Sequence, residues 1–279
     1  MNYFEDIDFI YKKPAHFCQE ISHLDKAKLS LSKPDFIKNY KKELENSISV
    51  FGLEFRKMIA DDIAEIDTFI DARYTKLEGN ELSPYDYFRF IKYGHGLIIQ
   101  DIEKNIKGCV FEIAYDTSEK TSYPLRLIID SSIKGHNLGK EMVLYLSLLA
   151  MERGSKVNRS VISFNNHESL YIQLNYQGWI LTDYNSDIKG ITPYFEACLP
   201  LTKHGILTNK INLNKTLNYL DTNPLKSTYK LVEVNDEPEI IKLFDEGYVV
   251  IAFLKEETIG KPNHYLALPA SEIFYTISK

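Results

Sequence analysis

Residues Leu125 to Gly154 read LRLIIDSSIKGHNLGKEMVLYLSLLAMERG, and the reading of this stretch decides the fold. It opens on an apolar, β-branched run (Leu125, Leu127, Ile128, Ile129) and bends through a polar segment with two glycines, Gly135 and Gly139. It then places Leu138, Met142, Tyr145, Leu146, Leu149 and Ala150 close to a 3.6-residue period. Gly154 stands where a left-handed residue closes a helix. The spacing predicts a strand, a tight turn and a helix. At such a turn, unpaired backbone N–H groups and the positive end of the helix dipole point outward together, and both favour an anion.

Upstream, residues 1–50 are polar with weak helical periodicity at Phe36, Tyr40, Leu44 and Ile48, which predicts one or two helices in an N-terminal extension. A strand follows at Leu53–Ile59. Asp61 or Asp62 then caps a helix facing inward through Ile63, Ile66, Ile70 and Tyr74. Ser83-Pro84 opens a second helix that ends near Gly94, with Asp86 in its first turn. Strands Gly96–Ile102 and Gly108–Tyr115 lead through a polar connection, Asp116–Tyr123, to the opening strand at Leu125. Downstream come strand Arg159–Phe164, a helix from about Asn166 to Gly178, and strands Trp179–Asp183 and Tyr194–Leu201. The order β-α-α-β-β-β-α-β-α-β-β over residues 51–202 mixes an antiparallel meander with βαβ crossovers, an α/β (α+β) pattern. Residues 203–225 suit a linker or a surface helix (Ile211 to Leu220), and a small αβ unit follows from Tyr229 to Leu268. No internal repeat is visible in the sequence. The expected domains are therefore 1–50, 51–202 and 203–279.

With 279 residues the chain can bury a sizeable core, and its 44% hydrophobic and 26% charged content is that of a globular protein. A formal net charge of −6 without a lysine- or arginine-rich block argues against nucleic acid and anionic membranes as partners. Cys18, Cys109 and Cys198 match no zinc or CxxC spacing and fit reduced thiols, so no metal is expected. The N-terminus has no basic-then-apolar signal, and no apolar run approaches the length of a membrane span, so a cytoplasmic location is expected.

The turn itself reads Lys134-Gly135-His136-Asn137-Leu138-Gly139-Lys140. Only three residues separate its glycines and Glu141 follows Lys140, which rejects a P-loop; GxGxxG is also absent. The segment resembles the GNAT superfamily of acyl-CoA N-acyltransferases, which carries Arg/Gln-x-x-Gly-x-Gly/Ala between its fourth strand and third helix. Lys134 takes the Arg/Gln place, Asn137 that of the first glycine and Gly139 that of the second. Asparagine tolerates positive φ better than other non-glycine residues, so the bend can survive the change. A second family feature, an Asn after the fifth strand and a helix ending in Gly-Phe, reads here Asn165-Asn166 through Gly178-Trp179. The resemblance covers residues 51–202 and implies a GNAT-like mixed central sheet flanked by helices. It implies transfer of an acyl group from acetyl-CoA or another acyl-CoA to a small-molecule or peptide amine by direct attack, and it allows a homodimer.

It further implies site residues. Backbone N–H groups from Gly135 through His136, Asn137, Leu138 and Gly139 to Lys140 would hold the pyrophosphate, with Lys134 and Lys140 as flanking cations. Strand residues Leu127, Ile128 and Ile129 would pair with the pantetheine amides as an added strand. Asn166 would contact the cofactor or cap its helix. The family's tyrosine, which returns a proton to sulfur, sits four residues before the Gly of Gly-Phe, and Leu174 stands there. Tyr171 and Tyr176 are the substitutes on the same helix. Glu112, Asp116 and Asp130 are the carboxylates on or beside the central strands that could serve as base. His136 and His167 are assigned no chemistry. The alternative is a non-catalytic protein of this fold that binds a partner or senses CoA.

Residues Asn263-His264-Tyr265 at a strand start also resemble the base-bearing half of a papain-like peptidase. That reading needs a thiol nucleophile, and no cysteine follows Cys198.

Overall fold

The computed structural model describes residues 9–11, 25–73, 82–114, 120–186, 192–207, 222 and 228–276. The chain divides into two compact units, residues 32–158 and residues 1–31 with 159–279. The boundaries expected at 50 and 202 fall inside these units. Tyr74, Asp116, Cys18 and the helix expected at Ile211–Leu220 lie outside the described residues.

In order along the chain come β1 (Phe9–Tyr11), α1 (Lys26–Ser30), α2 (Lys33–Ser49), β2 (Leu53–Lys57), α3 (Ile63–Asp71), α4 (Pro84–Tyr93), β3 (Gly94–Asp101) and β4 (Ile106–Ile113). They are followed by β5 (Thr121–Ile129), α5 (Leu138–Arg153), β6 (Val157–Ser163), α6 (His167–Gln177), β7 (Ile180–Asn185) and β8 (Tyr194–Pro200). The last are α7 (Lys203–Leu207), β9 (Lys230–Glu233), α8 (Glu237–Asp245), β10 (Tyr248–Leu254), α9 (Glu256–Ile259), β11 (His264–Pro269), α10 (Ala270–Ile273) and β12 (Phe274–Thr276). The predicted order over residues 51–202 is present element for element.

In the 32–158 unit, β2, β3, β4 and β5 form an antiparallel meander in that order. The two apolar stripes of a sheet must each be covered. One face is covered by α3 and α4, where Ile66, Phe69, Ile70, Tyr87 and Phe90 pack with Ile98, Phe111 and Ile113. Phe90 stacks on Phe111 with ring centroids 4.8 Å apart. α4 starts on the predicted cap: Ser83 Oγ accepts from the Asp86 N–H, and the Asp86 carboxylate accepts from the Ser83 N–H at 2.9 Å. Asp62 differs from expectation. Instead of capping α3 it accepts the Ile59 N–H at 2.7 Å and pairs with Arg56 at 2.6 Å.

α5 is buried nearly all round, from Leu138 to Met151, because the sheet packs on one side and α2 on the other. Polar pairs join α2 to α5: Ser47 donates to Glu141 at 2.6 Å, Tyr145 to Glu45 at 2.6 Å, and Lys41 reaches Glu152 at 3.2 Å. α2 is thus the second cover of the central helix.

In the other unit the strand order is β6-β8-β7-β10-β11-β9. The C-terminal αβ segment, expected as a separate addition, continues this sheet, with β10 antiparallel to β7 through Val250↔Leu181. The reason is chemical: β7 has an edge of unpaired N–H and C=O groups, and β10 supplies their partners. β1 and β12 pair as a two-stranded ribbon.

Candidate functional site

The predicted turn has the backbone its sequence requires. Gly135 has φ 92° and Asn137 φ 58°, ψ 13°, both left-handed. Asparagine is among the few side chains that enter this region at low cost. Residues Lys134 to Asn137 are exposed. The Asn137 side chain makes no capping hydrogen bond, so the first turn of α5 is left without a side-chain cap. The first backbone N–H groups of a helix have no intrahelical partner, and here the positive end of a 16-residue dipole lies behind them. A Cβ placed on Gly139 would meet Leu127 Cδ2 at 3.1 Å, so the helix start approaches β5 within a distance that only glycine permits without displacement. His136 lies against Phe51, with tilted rings and centroids 4.4 Å apart.

β5 contributes a feature that the sequence does not announce. Cys109 pairs with Ile128 and Phe111 with Leu125, so Arg126 and Leu127 together oppose Val110, a β-bulge. Arg126 has φ 48°, unusual for a long side chain. Along this stretch Leu125 and Leu127 are both exposed while Ile128 is buried. On its other side β5 pairs with β6 only at Thr121↔Val157 and Ser122↔Asn158. Those two pairs are fixed by a buried chain in which Ser122 bonds Asn158 and Asn158 donates to Ser147 Oγ at 2.8 Å. Leu127, Ile128 and Ile129 lie farther along β5 than these two pairs.

The two expected carboxylates that are described, Glu112 and Asp130, are committed elsewhere. Glu112 is fully buried and bonded to the Arg153 guanidinium and to His95 Nδ1, the latter at 2.9 Å. Arg153 is the last residue of α5, the end opposite the turn. Asp130 pairs with Arg73 and accepts the Ser132 N–H at 2.8 Å. Hydrogen bonds from Ser132 and Arg73 hold its carboxyl well below the usual range, so it is a weak base.

In the unit of residues 159–279, Asn166 is the N-cap of α6, its side chain accepting the Ser169 N–H at 3.0 Å. Of the two roles expected for it, the structure shows the cap. Tyr171 and Tyr176 lie together, their hydroxyls 3.3 Å apart. Burial, then the hydrogen bond with Tyr176, pushes the Tyr171 phenol up to about 12.

No family model matches the chain, and no curated protein does. Among solved structures it is similar to a chain of the NatC complex bound to Gag peptide and CoA, at 17% identity and a TM-score of 0.46, covering 54% of this chain and 99% of that one. It is also similar to the GNAT-family acetyltransferase from Streptococcus pneumoniae, at 12% identity and a TM-score of 0.44, covering 52% and 98%. The spermidine N-acetyltransferase from Vibrio cholerae gives 13% identity and a TM-score of 0.44 over 55% and 96%. The element order and the bent turn before α5 agree with the resemblance read from the sequence. The fold is a mixed α/β arrangement of strands flanked by helices.

At the place where the sequence resemblance expects a tyrosine, Leu174 is wholly buried and part of the core. Among the described residues the peptidase resemblance of the tail gains no nucleophile: Cys109 and Cys198 are both buried, and burial pushes each thiol up to about 12. Among the described residues, no group of three or more His, Cys, Asp or Glu could hold a metal ion, and no helix is long and apolar enough to cross a membrane.

Proposed function

We propose that this chain is an acyl-CoA-dependent N-acyltransferase acting on a small-molecule or peptide amine. The observation that carries the reading is the uncapped start of α5 behind left-handed Asn137. The residues present fit a pyrophosphate: the turn is exposed, the backbone N–H groups of Gly135 to Lys140 are at a helix N-terminus, and Lys134 adds a cation. The Leu127–Ile129 stretch of β5, farther along than the pairs at Thr121 and Ser122, fits the amide-bearing pantetheine arm, which would add to the strand.

The thioester supplies a carbonyl that a neutral amine attacks, and the thiolate leaves. The protein's part is to hold the donor and return a proton to sulfur. Tyr171 and Tyr176 are the candidates for that proton. With its phenol near 12, Tyr171 stays protonated at neutral pH, but it is a weaker acid than a free tyrosine. Glu112 is not assigned as the base, since its carboxylate is already shared between Arg153 and His95.

Calorimetric titration with acetyl-CoA and with CoA tests the reading, and the absence of binding at millimolar concentration would overturn it. Gly139→Asp, which sets a carboxylate against the phosphates, is expected to weaken binding by about tenfold or more. A second reading, a CoA-binding protein without catalysis, is favoured by the burial of Leu174. Thiol release from acetyl-CoA over a panel of amines, with and without Tyr171→Phe, separates the two.

A further inference from the structure

The sheet of the 159–279 unit has a palindromic order. Written by position within each βαββ segment, β6-β8-β7-β10-β11-β9 runs first, third, second, second, third, first. The two segments are β6-α6-β7-β8 and β9-α8-β10-β11. We propose that the second is a degenerate copy of the first, docked on it about a pseudo-twofold axis, and that it serves to hold α6 in place and carries no second acyl-transfer site.

Local structure supports the copy residue by residue. Asn166 caps α6 by accepting from the residue three further on, Ser169, and Asp236 caps α8 in the same way through Glu239. Each helix stops at a left-handed glycine, Gly178 (φ 74°) and Gly247 (φ 80°). Each following strand has an extra residue at the fourth place after its glycine, Thr182 in β7 and Ile251 in β10. The seventh place after the glycine opens the pairing with the next strand in both, Asn185↔Tyr194 and Leu254↔His264.

The docking obeys the rule of a twofold contact, in which residue i meets j and the mate of i meets the mate of j. The pair that joins β7 to β10 is Leu181↔Val250, each third after its glycine, so the pair is its own mate. Phe195 and Tyr265 occupy equivalent places in β8 and β11, and their rings meet at 5.5 Å. Tyr184 packs on Phe195 at 5.3 Å, and the equivalent Phe253 packs on Tyr265 at 5.6 Å. Four rings thus run through the core in symmetric order. Each helix start also reaches the opposite copy's middle strand. His167 lies against Phe253 at 5.9 Å, and the equivalent Glu237 lies close enough to Tyr184 to add to the upward push that burial gives its phenol.

The copy has kept the scaffold and lost the chemistry. Counted from the caps, Ile241 stands in the place of Tyr171; counted from the glycines, which lie one residue nearer the cap in the second copy, Asp245 stands in that of Tyr176, so neither tyrosine is kept. What it adds is a grip on α6. The buried Asn175 amide donates to the Phe253 carbonyl at 2.8 Å and accepts the Phe253 N–H at 3.0 Å. Phe253 also meets the Tyr171 ring edge-on at 6.0 Å, and Lys255 Nζ sits 4.2 Å above that ring. The copy and its docking stand on structure alone; the value of the grip for turnover rests on the acyltransferase reading.

The test uses the full chain. Leu181→Cys with Val250→Cys, refolded in a glutathione redox buffer, should give one intramolecular cross-linked peptide, since directly opposed strand residues have the spacing of a disulfide. Free thiols at both positions in a folded protein would overturn the docking. Asn175→Ala should lower kcat about tenfold while the Kd for CoA stays within about twofold, the split expected of a positioning residue. If Asn175→Ala does not fold, Lys255→Ala provides the same reading from the protein surface. Unchanged kcat in the folded variant would overturn the positioning role. If the wild type binds no CoA, the acyltransferase reading fails, while the cross-link still decides the copy.

Discussion

Arg153 and Glu112 are joined by their charged groups at the end of α5 farthest from the turn, with Glu112 fully buried beneath the guanidinium. A buried carboxylate that loses its partner retains the desolvation cost without the compensation. Arg153→Leu is therefore expected to destabilise the protein by about 3 kcal/mol or more. Glu112→Gln should cost less, because Arg153 is partly exposed and can turn to water. Since α5 is about 24 Å long, neither change should alter CoA affinity. Urea unfolding and CoA titration on the same samples check both statements.

The left-handed Asn137 makes a graded prediction. Asn137→Gly keeps the conformation at no steric cost, and CoA binding should survive. Asn137→Val must place a β-branched residue at φ 58°, at a cost of about 1–2 kcal/mol, and should weaken CoA binding as the turn moves. Equal affinities for the two variants would remove the turn from the binding site.

Acid stability should show the Asp130 contacts. Its carboxyl is held below the usual range by Ser132 and by Arg73, so folded and unfolded states differ in proton uptake. The unfolded chain binds the proton first as pH falls below about 4. The stabilisation is therefore complete above that pH and is lost as pH falls toward the folded value. Asp130→Asn should flatten the fall in stability between about pH 4 and pH 2, measured by denaturant midpoints across that range.

Cys109 and Cys198 should resist alkylation at pH 8 in the folded protein. Both thiols are buried and pushed up to about 12, so the reactive thiolate is scarce as well as shielded. Iodoacetamide labelling followed by peptide mapping should find both free in the native protein and both modified in guanidinium. Labelling of Cys198 in the native state would reopen the peptidase reading of the tail.

The fold was legible where chemistry restricts the residue. A turn that needs positive φ admits glycine and asparagine and little else, so Gly135 and Asn137 could be read directly. Capping is equally local, and Ser83, Asn166 and Gly154 were found by type and spacing. The bulge at Arg126 was not, since no residue type marks it and it follows from the register with β4. Glu112 could be placed on a strand, but its partner lies 41 residues away, beyond any periodic signal. The repeat escaped for a related reason. Its copies share a cap, a stop glycine and a bulge position, while Tyr171 and Ile241, or Asn175 and Phe244, have nothing in common as letters.

The covalent linkage of the two βαββ copies has its own consequence. Two separate subunits meeting through β7 would share one sequence and would part on dilution. Copies on one polypeptide meet at an effective concentration in the millimolar range whatever the protein concentration, so specific activity should hold at nanomolar enzyme. Linkage also frees one copy to drift. On the acyltransferase reading the tyrosines belong to α6, and α8 need only keep its fit.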